Sequence, residues 1–150
     1  MIFKDKEGYS MIIYKTEIDE LEWEKLVDLY DQTNMCIGLG RKRETEKIRR
    51  AFDNSYKIVI AKDSDLIIGA GRMISDGECY GWIHDIAVLV SYRKQGVGKT
   101  IMEKLVEGDE NLLIGLTSSF QAVEFYDKLG FNKHKTAMAK YPGKSDYLEY

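Results

Sequence analysis

The sequence predicts an α+β domain: a mixed, mostly antiparallel central sheet flanked by about four helices. Three observations predict it. Apolar, β-branched runs separated by turn residues fill positions 56–90, the pattern of antiparallel hairpins. A strand-like run from Ile83 to Val90 passes through a basic, glycine-bearing turn into an amphipathic segment from Gly98 to Val106. A further apolar run, Leu112 to Leu116, follows that segment, so a βαβ crossover adds a parallel pair.

The elements follow in order. Ser10 to Lys15 reads as a strand. Leu21 to Tyr30 reads as a helix with Trp23, Leu26, Val27 and Tyr30 on one face. Arg41 to Asn54 reads as a second, less apolar helix. Strands follow at Tyr56–Lys62, Leu66–Ser75 and Cys79–Val90, with Asp63-Ser64-Asp65 and Asp76-Gly77 as their turns. After the Gly98–Val106 helix and the Leu112–Leu116 strand, a helix is expected from Ser119 to Leu129. A strand is expected from Phe131 and another near Met138 to Tyr141, where Pro142-Gly143 breaks the chain.

At 150 residues the chain is expected to form one domain, 1–150, with a core that needs no staples. Cys36 and Cys79 show neither metal nor disulfide spacing, which points to a reducing, cytoplasmic compartment. No apolar run approaches the ~20 residues that cross a bilayer, and no signal-peptide profile opens the chain, so no membrane partner is expected. A net charge of -3 argues against general nucleic-acid binding and suits a cationic substrate.

The stretch Arg93-Lys94-Gln95-Gly96-Val97-Gly98-Lys99-Thr100 carries the chemistry. A helix start offers unpaired N–H groups and partial positive charge, and glycines let a phosphate approach the backbone. The alternative is a solvated basic turn. Only Val97 separates Gly96 from Gly98-Lys99-Thr100, too short a spacer for a Walker A loop. Ile101 stands where a dinucleotide fingerprint needs its third small residue. A second motif, Ala122 to Phe131, places Ala122, Phe125, Tyr126 and Leu129 on one helix face, with Gly130 as the helix stop.

The spacing of Arg93, Gly96 and Gly98, followed by Tyr126-Asp127-Lys128-Leu129-Gly130-Phe131, resembles the two signatures of the GNAT acetyl-CoA-dependent N-acetyltransferases. The resemblance implies the GNAT fold, in which the strand before the phosphate loop splays from its successor and pantetheine lies in the gap. It implies that backbone groups of Ile86, Ala87 and Val88 bond the pantetheine arm like an added strand, while core packing remains the plainer reading of those residues. Amides from Lys94 to Lys99 would hold the pyrophosphate, with Thr100 in the same turn and Arg93 and Lys94 adding charge. Many relatives carry an asparagine where this chain has Ser119. Serine is a good N-cap in its own right, and the cap is the expected role.

The catalytic expectations come from the same resemblance. Tyr126 matches the tyrosine that protonates the leaving thiolate; its plain reading is a core tyrosine. His84 stands where some arylalkylamine-acetylating relatives carry histidine and others glutamate, and could take the amine proton; it could equally be a core or pocket-wall histidine. Strict alternation would put Trp82, His84, Ile86 and Val88 on one face and Asp85 on the other. Asp85 could replace His84 as base or position a cationic amine. His134 has no supporting context.

Tyr30, Met35, Cys36 and Tyr141 are candidates for acceptor lining or for packing. The Arg41–Arg50 run, with its interleaved glutamates, reads as a solvated helix face, with an acidic acceptor or a bound polyanion there as the alternative. The expected function is direct acetyl transfer from acetyl-CoA to a primary amine of a small molecule, in a ternary complex. Peptide or protein amines are the alternative acceptors, and an acyl-CoA-binding sensor is the rival of another class. No metal is expected, and the resemblance allows a homodimer.

Overall fold

The computed structural model describes residues 11–35 and 44–150. They gather into two compact units, one extending to Thr117 and the other Ser118–Tyr150. The first holds β1 (Ile12–Lys15), α1 (Trp23–Gln32), α2 (Thr45–Asp53), β2 (Lys57–Asp63), β3 (Leu66–Ser75), β4 (Tyr80–Val88), α3 (Val97–Val106) and β5 (Leu113–Leu116). The second holds one short helix, α4 (Val123–Lys128), entered through a 3-10 turn at Phe120–Ala122. Cys36 and the predicted starts of the first strand (Ser10) and second helix (Arg41–Arg43) lie outside the described residues.

The sheet runs β1-β2-β3-β4-β5, antiparallel except for the parallel β4–β5 pair that α3 connects. The predicted stripe of α1 is the buried one: Trp23, Leu26, Val27 and Tyr30 are nearly inaccessible. In α2 only Ile48 and Phe52 are buried; Glu46, Arg50 and Asp53 are exposed and the other residues half-buried. From α3 come Val97, Ile101, Met102 and Leu105. A Cβ at Gly69 or Gly71 would meet Ile101, so α3 covers that face of β3. The opposite face carries Arg72, which reaches the last turn of α2.

Both hairpin turns follow from local chemistry. Ser64, at φ 54, turns β2 into β3. At the next turn the Asp76 carboxylate accepts the N–H groups of Glu78, Cys79 and Tyr80. Those donors, Cys79's foremost, hold its pKa below the ordinary value.

The strands predicted at Phe131 and at Met138–Tyr141 are absent; both stretches are irregular. A strand persists only with a partner and a buried face that fixes its register. From Phe131 to Lys140 only Phe131 is even partly covered, so nothing selects a pairing. Among the described residues no helix is long and apolar enough to cross a membrane.

Candidate functional site

The candidate site is built on β4, and β4 changes character midway. From Gly81 to Ile83 it is paired on both sides, to β3 and to β5, ending with Ile83 opposite Leu116, while Tyr80 pairs with Leu113 of β5 alone. From His84 to Val88 only the β3 side is paired, up to Val88 opposite Gly69. The edge toward β5 is left open there. Within this half the ladder also slips: Arg72 faces His84, but Ala70 faces Ala87. The extra residue is a β-bulge, and Asp85 takes it up at φ 57.

The bulge overturns the expected alternation. Residues directly opposite in a ladder share a face, so His84 lies with Arg72 on the side of α1 and α2. Ile86 points the other way, into the space a Cβ on Gly71 would need, beside Ile101 and Leu105 of α3. Trp82, His84, Ile86 and Val88 therefore do not form one face, because a single left-handed residue between them resets the period.

Three elements hold the bulge. Arg72 Nε donates to Asp85 Oδ2 at 2.7 Å, with the side chains only 10% and 11% exposed. Its Nη1 reaches the Ala51 carbonyl at 3.3 Å and Ser55 Oγ at 3.4 Å, at the end of α2. From α1 the Tyr30 hydroxyl donates to the Asp85 carbonyl oxygen at 2.7 Å. Tyr30 is buried, and burial followed by the nearby Asp85 charge raises its pKa well above the ordinary phenol value. Of its two sequence readings, packing describes it.

His84 is half-buried. Burial lowers its pKa first, the Arg72 guanidinium lowers it further, and the Asp85 charge opposes them. The imidazole is therefore neutral at neutral pH, with an acceptor nitrogen available.

Beyond β4, a 3-10 turn at Val90–Tyr92 leads into the basic loop. Arg93 Nε donates to the Val88 carbonyl at 3.0 Å, and Gln95 Nε2 to Ser91 O at 3.1 Å. Lys94 at φ 61 and Gly96 at φ 84 are both left-handed. Alternating handedness of this kind turns successive N–H groups toward one concavity. A Cβ at Gly96 would meet nothing, so glycine is needed there for its φ and not for space. Gly96 caps α3 with no side-chain bond, and no acidic residue stands in the first turn. Among the described residues, hydrogen bonds engage the amides of Arg93 and Thr100 and none of those between. Thr100 is spent internally: its N–H bonds Gly96 O at 3.0 Å, and its hydroxyl shares a hydrogen bond with Tyr14. The free donors are thus Lys94, Gln95, Gly96, Val97, Gly98 and Lys99.

In the second unit, Ala122, Phe125, Tyr126 and Leu129 are the half-buried residues of the α4 region, as their spacing predicts. The helix ends at Gly130, φ 89, and the Phe131 N–H returns to the Tyr126 carbonyl at 3.1 Å. Phe125 and Phe131 meet the Tyr126 ring edge-on at 4.9 and 6.2 Å. Burial pushes the phenol pKa up to about 12. Ser119 occupies the N-cap position of the preceding turn, but its side chain makes no capping bond. Cys79 is exposed, and among the described residues no cluster of metal-ligating groups occurs.

Arg72 is the residue the sequence reading missed. It had a signal: one charge inside the otherwise apolar Leu66–Ile74 run, matched by one opposite charge in the apolar run of the next strand.

The arrangement of a half-open strand, a basic left-handed turn and an uncapped helix start can be matched to known families. The family model for the acetyltransferase (GNAT) domain fits residues 54–133. The chain belongs to the GNAT acetyltransferases. It is 33% identical over 129 residues to GCN5-related N-acetyltransferase 2, chloroplastic, of Arabidopsis thaliana, with 70% of this chain and 50% of that protein covered. It is 32% identical over 120 residues to histone acetyltransferase TAP1 of Glycine max, covering 70% and 52%. The chain thus spans about half the length of the curated relatives it matches. A Staphylococcus aureus crystal structure described as a probable acetyltransferase superposes with a TM-score of 0.71 at 28% identity, covering 93% of this chain and 100% of that one.

Proposed function

We propose that this GNAT chain is an N-acetyltransferase moving an acetyl group from acetyl-CoA to a primary amine of a small molecule, by direct transfer in a ternary complex. The observation that carries the reading is the continuity of the open β4 edge, His84 to Val88, with the unbonded amides from Lys94 to Lys99. One run of backbone thus offers a strand edge for an extended amide-bearing arm and then a positively polarised cradle for a diphosphate. The donor set fits acetyl-CoA, which when bound supplies the activated thioester.

The chain's own groups divide the remaining work. Backbone at Ile86, Ala87 and Val88 orients the arm, and the amides of the Lys94–Lys99 turn hold the phosphates, with Arg93 and Lys94 adding charge. Ser119 is not assigned a contact. His84 takes the proton that the amine nitrogen sheds as it bonds carbon. A nitrogen gaining a bond becomes strongly acidic, so a base of lowered pKa suffices and is unprotonated when needed. Asp85 is committed to Arg72, which weighs against it as the base. Tyr126, at about 12, keeps its proton at every working pH. A thiol of ordinary pKa about 8.5 is the stronger acid, so Tyr126 acts on a leaving thiolate as a hydrogen-bond donor.

The name of TAP1 keeps a protein amine as the second acceptor reading. Cysteine usage supports a cytoplasmic setting, and a homodimer is within the same proposal. Thiol release from acetyl-CoA, measured against pooled primary amines, aminoglycosides, polyamines and histone peptides, tests the reading. Release with a small-amine pool supports it and release with peptides alone moves the acceptor to protein. Acetyl-CoA binding with no release from any pool retires the transferase reading in favour of an acyl-CoA sensor.

A further inference from the structure

We propose that Arg72 is a positioning residue of this site, acting through Asp85 on the bulge of β4. The inference rests on the transferase reading for its consequence in catalysis and on geometry for everything else.

The bulge is a costly conformation with a local purpose. A non-glycine residue at φ 57 is disfavoured by sterics, and Asp85 is kept there by bonds to both ends of the residue. Its carboxylate is held by Arg72 on the adjacent strand, and its carbonyl by Tyr30 on α1. Arg72 is itself anchored, since its other arm binds the end of α2 through Ala51 O and Ser55 Oγ. The planar guanidinium serves two partners at fixed angles, which an ammonium cannot do. The clamp therefore ties β3, α1 and α2 to one residue.

That residue separates the two parts of the site. On one side of it His84 faces α1 and α2; on the other, Ile86 is turned down onto α3, and the open edge continues to the phosphate turn. Without the bulge, period-two alternation would return Ile86 to the face of His84 and shift everything after it by one residue. Arg72 touches no expected substrate atom. It decides where His84 and the amides of Ile86 to Val88 stand.

The same pair sets the electrostatics of His84. From β3 the imidazole faces Arg72, from its own strand Asp85, and from α1 the Tyr30 phenol sits at the Asp85 carbonyl; α3 covers the opposite face. Of the two charges, Arg72 disfavours the imidazolium and Asp85 favours it. Removing either alone must move the His84 titration, and in opposite directions. A purely structural prop would not give opposite signs.

The test is proton NMR titration of the full chain, with His134→Gln assigning the two histidines, alongside steady-state kinetics. Arg72→Gln is expected to raise the His84 midpoint and Asp85→Asn to lower it, each with kcat down about tenfold or more. Arg72→Lys keeps the charge and so the midpoint, yet loses kcat because the double contact is gone. Unmoved midpoints in both neutral variants, or wild-type kcat in Arg72→Lys, would overturn the proposal. If a single variant does not fold, Arg72→Met with Asp85→Asn replaces it. A midpoint near wild type with kcat still low supports the clamp, and wild-type kcat overturns it. A wild-type protein silent toward every amine would retire the transferase reading alone. Opposite midpoint shifts would then still support the pair's hold on His84, and unmoved ones would sink it.

Discussion

The two halves of β4 are continuous in sequence and similar in composition, yet they do different things. Tyr80–Ile83 is sealed along both edges from Gly81 on, with Ile83 buried opposite Met73. His84–Val88 has one neighbour, a bulge, a half-buried histidine and a buried ion pair. A strand paired along both edges has its backbone groups satisfied by its neighbours, and its side chains need only alternate, as exposed Tyr80 and Trp82 do with buried Gly81 and Ile83. A strand that must offer its backbone to a ligand has to give up a partner, and the polar groups that hold it in place must then be satisfied by the protein. The difference teaches that β4 serves the fold in its first four residues and, on the proposed reading, the site in its last five.

Mutations can break this comparison at either end. The largest effect is expected from Arg72→Met, which leaves the Asp85 carboxylate buried without its cation and should cost about 3–5 kcal/mol in urea denaturation. Adding Asp85→Asn should recover much of that loss. A single variant as stable as wild type would mean that the pair is not the clamp of this half. In the sealed half, Ile83→Ala should cost about 2–4 kcal/mol by cavity formation, while the acetyl-CoA Kd stays within about threefold. A large fall in affinity there would erase the distinction between the halves.

Much of this organisation was legible beforehand. The β3 boundaries, the buried stripe of α1 and the half-buried stripe of α4 all follow from periodicity, because each is a local pattern against one buried face. What escaped was non-local. Asp85 looks like any polar residue in an alternating strand; only its pairing with Arg72, from another strand, shows that the period resets there. The strands expected from Phe131 on failed for the converse reason: Phe131 and Tyr141 carry β-propensity, but propensity without a partner strand fixes no register. Thr100 belonged to the predicted turn by spacing, yet its donors are used inside the protein.

Smaller effects sharpen the contrast. Gly96→Ala forces a Cβ into a left-handed residue and should cost about 1–2 kcal/mol; it should weaken acetyl-CoA binding in calorimetry, although there is room for the methyl. Tyr126→Phe should lower kcat about tenfold, near 1.4 kcal/mol, with the acetyl-CoA Kd unchanged; wild-type turnover would remove Tyr126 from the mechanism.

The smallest effect is the pH dependence of His84. Its folded pKa is below the ordinary 6.5, so between the two values the unfolded chain binds more protons and stability rises with pH. Acidifying through that window should therefore weaken the fold, and His84→Gln should flatten the slope. The acid limb of kcat/KM should fall below 6.5 in the same way.

The central claim is that the second half of β4 offers its open edge to acetyl-CoA, and hydrogen exchange tests it most directly. Adding acetyl-CoA should slow amide exchange across Ile86–Val88 and Lys94–Lys99 while leaving Tyr80–Ile83 as it was. Protection spread evenly along β4, or none at either segment with acetyl-CoA bound, would contradict it.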